Sequence, residues 1–230
     1  MKTIGLLGGM SWESTVTYYQ LLNETVQERL GGLHSAKVLL YSVDFQEIEA
    51  CQSSGDWARS AELLCDGARR LERAGADFLV ICTNTMHKVA PEIQSAVSIP
   101  LLHIAQATAD ELRRSHVDRV ALLGTKYTME QDFYKDTLKQ AGIQVLVPGP
   151  ADRETVNRVI YEELCLGTIN PDSKQEYLRI IEALGQQGAQ GVILGCTEIG
   201  LLIRQEDCAL PVFDTTQIHA RQAALYALET

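Results

Sequence analysis

Short apolar runs, each ending in glycine or a small polar residue, occur in the same order in both halves of this chain. Gly5-Leu6-Leu7-Gly8-Gly9 resembles Ala121-Leu122-Leu123-Gly124-Thr125. Gly75-Ala76-Asp77-Phe78-Leu79-Val80-Ile81-Cys82-Thr83 resembles Gly188-Ala189-Gln190-Gly191-Val192-Ile193-Leu194-Gly195-Cys196. Ile99-Pro100-Leu101-Leu102 resembles Leu210-Pro211-Val212-Phe213. One such match is common to any α/β protein. Three in order, with spacings that agree within a few residues, point to a duplicated fold.

Each half alternates strand-like and helix-like segments. Thr3 to Leu7 reads as a strand opening onto Gly8-Gly9. Ser11 is placed to cap a helix on which Val16, Tyr19, Leu22, Val26 and Leu30 recur at helical spacing, and Gly31-Gly32 ends it. Strands are predicted over Val38 to Val43, Phe78 to Ile81 and Leu101 to Ile104, with a helix from Ala58 to Arg73. This rhythm implies the α/β class with parallel sheets covered on both faces. The expectation is two pseudosymmetric lobes with the active site in the cleft between them. Residues 1–100 plus about 212–230 would form the first and residues 101–211 the second. Ligands bind such sheets beyond the carboxyl ends of the strands. Gly8, Thr83, Gly124 and Cys196 stand at those ends, and the repeat pairs Thr83 with Cys196.

Composition narrows the partners. The 230 residues carry a net charge of −10, which disfavours nucleic acid and anionic membrane surfaces. No stretch approaches a membrane span, and no signal peptide is read at the start. The six cysteines are therefore expected to be free thiols in a cytoplasmic protein. Neither a dinucleotide fingerprint nor a P-loop is present. Cys82 and His87 lack the paired spacing of a zinc site, so no metal is expected.

Two singly reactive side chains on opposite sides of a ligand suit acid-base chemistry on two faces of one carbon. The segments that supply them are Cys82-Thr83-Asn84-Thr85-Met86-His87 and Gly195-Cys196-Thr197-Glu198. These segments, together with the N-terminal Gly-Leu-Leu-Gly-Gly-Met-Ser, resemble the aspartate/glutamate racemase family from Gly5 to His219. The resemblance implies a homodimer that racemises a small amino acid without pyridoxal phosphate, metal or any other cofactor. It implies two catalytic cysteines, one per lobe, with the second-lobe cysteine serving the L-enantiomer. It also puts Met10, Gln52 and Thr125 near the substrate.

The chain departs from that pattern at the first cysteine, where Thr83 stands. Cys82 is one position early, and neighbouring strand side chains face opposite ways. The catalytic pair is therefore read as Cys196 and Thr83, with Cys196 as the base and L-substrate preferred. Neighbouring charge or a helix N-terminus can lower the pKa of a cysteine, whereas Glu198 beside Cys196 would raise it. Asn84, Thr85, Thr197 and Glu198 join the substrate-binding set, with helix capping an alternative role for Asn84 and Thr85. His87 is read as orienting its motif by hydrogen bonding, or as tuning a nearby acid, and Lys126 as an exposed lysine, with contact to a substrate carboxylate the alternative. Two other functions fit: a lyase or isomerase of the same fold, acting on malonates or maleate, and a non-catalytic amino-acid-binding protein.

Overall fold

The computed structural model describes residues 1–229, which form two compact units. The first comprises Met1–Ile104 and the chain from His219 onward; the second is Ala105–Ile218. In the first unit the order is β1 (Ile4–Gly8), α1 (Trp12–Leu30), β2 (Val38–Ser42), α2 (Phe45–Ser54), α3 (Trp57–Arg73), β3 (Phe78–Ile81), a 3₁₀ turn (Thr85–Val89), α4 (Ala90–Ser95) and β4 (Leu101–Leu102). Helix α5 (Ile104–Arg114) leads into the second unit. There follow β5 (Arg119–Gly124), α6 (Lys126–Glu130), α7 (Asp132–Gln140), β6 (Gln144–Leu146), α8 (Pro150–Glu162), α9 (Pro171–Gln186), β7 (Val192–Gly195), α10 (Ile199–Leu202) and β8 (Val212–Asp214). Helix α11 (Thr215–Leu228) returns the chain to the first unit.

Each unit holds one four-stranded parallel sheet, ordered β2-β1-β3-β4 in the first and β6-β5-β7-β8 in the second. The register carries the repeat down to single residues. Gly5 pairs with Leu79, as Ala121 pairs with Val192. Leu79 pairs with Leu101, as Val192 pairs with Val212. Gly5 with Ala121, Leu79 with Val192 and Leu101 with Val212 are the residues that the repeated sequences align with one another. The sheets are thus equivalent in strand order and in register, and in this numbering Thr83 and Cys196 occupy the same place.

Both faces of the first sheet are covered. Alternation along β3 sends Phe78, Val80 and Cys82 into one apolar layer with Tyr18 and Leu22 of α1 and Ala220, Ala223 and Ala224 of α11. It sends Leu79 and Ile81 into another with Leu64 and Ala68 of α3. In the second unit, Ala121, Leu123, Val192 and Leu194 pack under Val156 and Val159 of α8 and Tyr177 and Ile180 of α9. Burying a side chain of this size stabilises the fold by roughly 1.5–3 kcal/mol.

Two expectations need correction. Val16, Tyr19 and Leu30 are not the core face of α1; they are exposed by 56%, 56% and 47%. The buried face is Ser14, Thr15, Tyr18, Leu22, Thr25 and Val26. Its polar members have hydrogen-bonding work beneath the helix: Thr15 Oγ1 accepts from the Gly9 N–H at 2.8 Å, and Ser14 Oγ donates to the Cys82 carbonyl at 2.9 Å. A hydropathy pattern counts such residues as surface and so shifts the phase of the helix. The fourth strand stops at Leu102, because Ile104 already starts α5 and its N–H is taken by a side chain, His87.

The turn after β1 depends on glycine. Gly9 has φ +89°, and a Cβ there would lie 2.3 Å from the Val43 carbonyl oxygen and 2.6 Å from its nitrogen. The two nearest atoms are backbone, which cannot swing aside as the end of a side chain can. Gly9→Ala is expected to cost about 3 kcal/mol, from left-handed strain plus overpacking. A urea titration reads this as a lower midpoint at unchanged slope, and an unchanged midpoint would contradict the geometry.

Candidate active site

In the first unit, the segment after β3 leaves the ladder at Ile81 and is then held by side chains. Cys82 is fully buried in the apolar layer, with its N–H on the Leu7 carbonyl at 3.0 Å. Burial pushes its thiol far up, so this sulfur stays protonated packing. Thr83 is the next residue and is half-buried. Asn84, Thr85 and Met86 are buried behind it. Gln52, 5% exposed on α2, donates from Nε2 to Met86 Sδ at 3.0 Å. Met10 packs in the same apolar cluster as Met86 and Ile48. The structure therefore gathers Met10, Gln52 and Met86 on the side of the sheet that faces α2 and α3.

Capping is not the role of the Asn84 side chain. Asn84 precedes the 3₁₀ turn but is itself helical (φ −74°, ψ −49°), and its side chain makes no cap bond. Capping by a side chain needs an extended residue whose oxygen can turn back. Thr125 meets that condition in the second unit: at φ −62°, ψ 159° it accepts from the Thr128 N–H and caps α6.

In the second unit, Gly124 and Gly195 are register partners at the ends of β5 and β7, so Thr125 and Cys196 follow neighbouring strand ends. Gly195 has little room for a side chain, because a Cβ would come within 2.9 Å of the Leu123 carbonyl oxygen. Cys196 Sγ donates to Glu198 Oε2 at 3.0 Å, and Thr197 Oγ1 donates to the same oxygen at 2.6 Å. Cys196 and Glu198 are 9% and 6% exposed. Burial first, and then the Glu198 charge, hold the Cys196 thiol well above its ordinary range, while the Glu198 backbone N–H pulls the other way. The helix that follows, α10, has four residues and does not overcome this. Lys126 is exposed, and its backbone N–H is held by Asn157 Oδ1 at 2.8 Å.

A layer of histidines, of which only His87 stood out in the sequence, backs the first-unit segment. His219 donates from Nε2 to the Leu102 carbonyl at 2.8 Å, and its Nδ1 lies 2.8 Å from Tyr18 Oη. A carbonyl can only accept, so Nε2 carries a proton; burial keeps the ring neutral, which leaves Nδ1 to accept from the Tyr18 hydroxyl. The ring centroids of His103 and His219 lie 4.7 and 5.7 Å from that of His87. No period or spacing marks His103 and His219 in the sequence, since the packing of α11 and the end of β4 against the 3₁₀ turn brings them together. Burial lowers all three, His103 and His219 to about 4 and His87 well below 6.5.

These shifts set an acid limit. Unfolded histidines take up protons as pH falls below about 6.5, and the folded His103 and His219 do not until about 4. The stability they give is complete above 6.5 and is lost as pH falls from there towards 4. The His219 shift alone is worth roughly 3 kcal/mol at about 1.4 kcal/mol per pH unit. Asp214, whose carboxyl burial raises, opposes this over the carboxylate range. Urea midpoints should fall steadily from pH 6.5 to 4.5, whereas a flat profile would mean that the histidines are solvated.

The chain is similar to known proteins along nearly its whole length. A family model described as Asp/Glu/hydantoin racemase matches residues 7–223. A broad-specificity amino-acid racemase from Bacillus subtilis, RacX, is 26% identical over 224 residues, 95% of each chain. A solved structure from Yersinia pestis, described as a candidate Asp/Glu racemase, is 56% identical with a TM-score of 0.94, covering 100% of both chains. An aspartate racemase homologue from Pyrococcus horikoshii is 39% identical with a TM-score of 0.88, again over the whole of both chains.

Proposed function

This chain belongs to the Asp/Glu/hydantoin racemase family and is an amino-acid racemase, an isomerase; from that premise we propose that it acts on L-aspartate or L-glutamate, with Cys196 and Thr83 as an unequal pair. The observation that carries the pairing is the shared sheet register, which gives Thr83 the place that Cys196 holds in the other repeat. Cys82, the neighbouring thiol, is consumed by packing.

Cys196 must lose its proton before it can act as a base. Losing it to solvent would leave a thiolate beside the Glu198 carboxylate, two buried negative charges in contact. Passing it to Glu198 Oε2, 3.0 Å away, keeps the pair at a single negative charge, so the burial that raises the thiol opposes this transfer far less. The thiolate then takes the α-proton from the L-substrate. The Thr83 hydroxyl delivers a proton to the other face of the carbanion and is reprotonated through water, while Glu198 releases the proton it took to solvent, which returns both groups to their starting state. Asn84, Thr85, Thr125 and Thr197 bind the α-carboxylate and the developing charge, and Met10 and Gln52 border the side chain. The reaction runs without pyridoxal phosphate or metal. The family resemblance and the six free thiols support a cytoplasmic homodimer.

A single thiol also suits decarboxylation or cis-trans isomerisation, and the threonine at position 83 favours keeping that reading in the test. Each L- and D-amino acid is incubated with the protein in heavy water, alongside malonates and maleate. Deuterium at the α-carbon of L-aspartate or L-glutamate, with D-isomer appearing, supports the proposal. Carbon dioxide from malonates, or fumarate from maleate, with no amino-acid exchange would replace it. Binding without turnover of any of these would mark a non-catalytic protein.

A further inference from the structure

We propose that His87 is a positioning residue that fixes the Thr83 hydroxyl by holding the Thr83 backbone, an inference that rests on the two-sided mechanism above. His87 is 1% exposed. Its Nδ1 lies 2.8 Å from the Thr83 carbonyl oxygen, and the Ile104 N–H points at its Nε2 at 3.2 Å. A backbone N–H only donates, so Nε2 is the acceptor and the ring proton sits on Nδ1. That proton is given to the Thr83 carbonyl. Both nitrogens are committed to backbone groups, and the ring has one tautomer and one orientation.

The bond matters because Thr83 lies beyond the strand ladder. Ile81 is the last β3 residue in register. The next two carbonyls are each taken by a side chain: that of Cys82 by Ser14 Oγ, and that of Thr83 by His87. Fixing the Thr83 peptide plane fixes the direction of its Cα–Cβ bond, and with it the hydroxyl. A proton donor misplaced by about 1 Å can lose a hundredfold in rate.

The other repeat shows that the fold itself does not require this imidazole. Counting from Cys196 as from Thr83, the place of His87 is taken by Gly200, where a Cβ would lie 2.7 Å from Asp214 Oδ2. Cys196 is instead held through Glu198, two residues on. The two repeats thus position their reactive groups by different means, and the histidine belongs to the threonine side.

The test compares wild type, His87→Ala, His87→Asn and His87→Gln with L-aspartate and L-glutamate in heavy water. Two rates are followed: deuterium entering L-substrate with retained configuration, and appearance of the D-enantiomer. Retention needs the Cys196 face only, whereas inversion also needs Thr83. In His87→Ala, inversion should fall roughly 10- to 100-fold. Retained exchange should stay within about threefold, so the exchange-to-inversion ratio rises at least about tenfold. Asparagine keeps an N–H near the Nδ1 position and should return the ratio to within about threefold of wild type. Glutamine places its amide further out and should not. Should the alanine variant fail to fold, the asparagine-glutamine contrast alone decides. Equal ratios in those two variants, or exchange and inversion falling together, would overturn the positioning role. Absence of any exchange in wild type would instead overturn the mechanism beneath it.

Discussion

Replacing Cys196 with serine should lower α-proton removal from L-aspartate or L-glutamate at least about a thousandfold, within the range that one acid-base group supplies. The substitution is close to isosteric, and a serine hydroxyl can donate to Glu198 as the thiol does at 3.0 Å. The binding groups and the apolar layer around β7 are left in place, so substrate affinity and thermal midpoint should change little. What changes is the cost of the anion. Burial and Glu198 already hold the thiol well above its ordinary range, and the proposed proton transfer to Glu198 has to overcome that. An alkoxide is far more basic than a thiolate, and the same transfer becomes prohibitive. Stopped-time assays of D-enantiomer formation and of α-deuterium incorporation should fall together. Activity within tenfold of wild type would remove Cys196 from the chemistry.

Thr83→Val is expected to separate two rates that Cys196→Ser abolishes together. Valine matches threonine in shape but has no hydroxyl, so the half-buried site after β3 remains filled. Inversion should drop roughly a hundredfold or more, the contribution of a positioned general acid. Deuterium exchange into L-substrate should continue, because Cys196 alone can remove and return the proton on its own face. Thr83→Cys is the complementary change. It puts a second thiol at the register position of Cys196 and should raise the initial rate from D-substrate at least about tenfold, since a thiolate is a far better base than a threonine hydroxyl. Equal loss of exchange and inversion in Thr83→Val would argue for a binding role. No gain from D-substrate in Thr83→Cys would place the second proton elsewhere.

Much of this was legible in the sequence because strands carry their information locally. The repeated Leu-Leu-Gly and Gly-Ala-x-x-x-x-x segments marked which strands of the two halves are equivalent, and the structure adds their order and register. Cys196 and Thr83 were found by that numbering together with the family's motifs. Other features depended on tertiary packing. The inner face of α1 is built from Ser14, Thr15 and Thr25, whose polarity conceals their burial. Helix capping, the alternative role for Asn84, is not taken up because its own backbone is already helical. The link between His87 and Ile104 joins residues seventeen apart through a turn and a short strand, and no periodicity announces it. The Cys196–Glu198 contact lay between the two: the residues are near neighbours, but only the fold shows the carboxylate buried and turned back on the sulfur.

The most direct test of the unequal pair is the initial rate from each enantiomer of aspartate and glutamate, followed in heavy water by the loss of the α-proton signal. Wild type should exchange the α-proton of the L-enantiomers with retained configuration at a rate well above that of the D-enantiomers, because Cys196 removes and returns it on one face. The catalysed reaction must still end at the same racemic mixture, as equilibrium requires. Equal rates of retained exchange from L and D, or no loss of the α-proton from either, would contradict a mechanism in which Cys196 is the base and Thr83 the weaker partner.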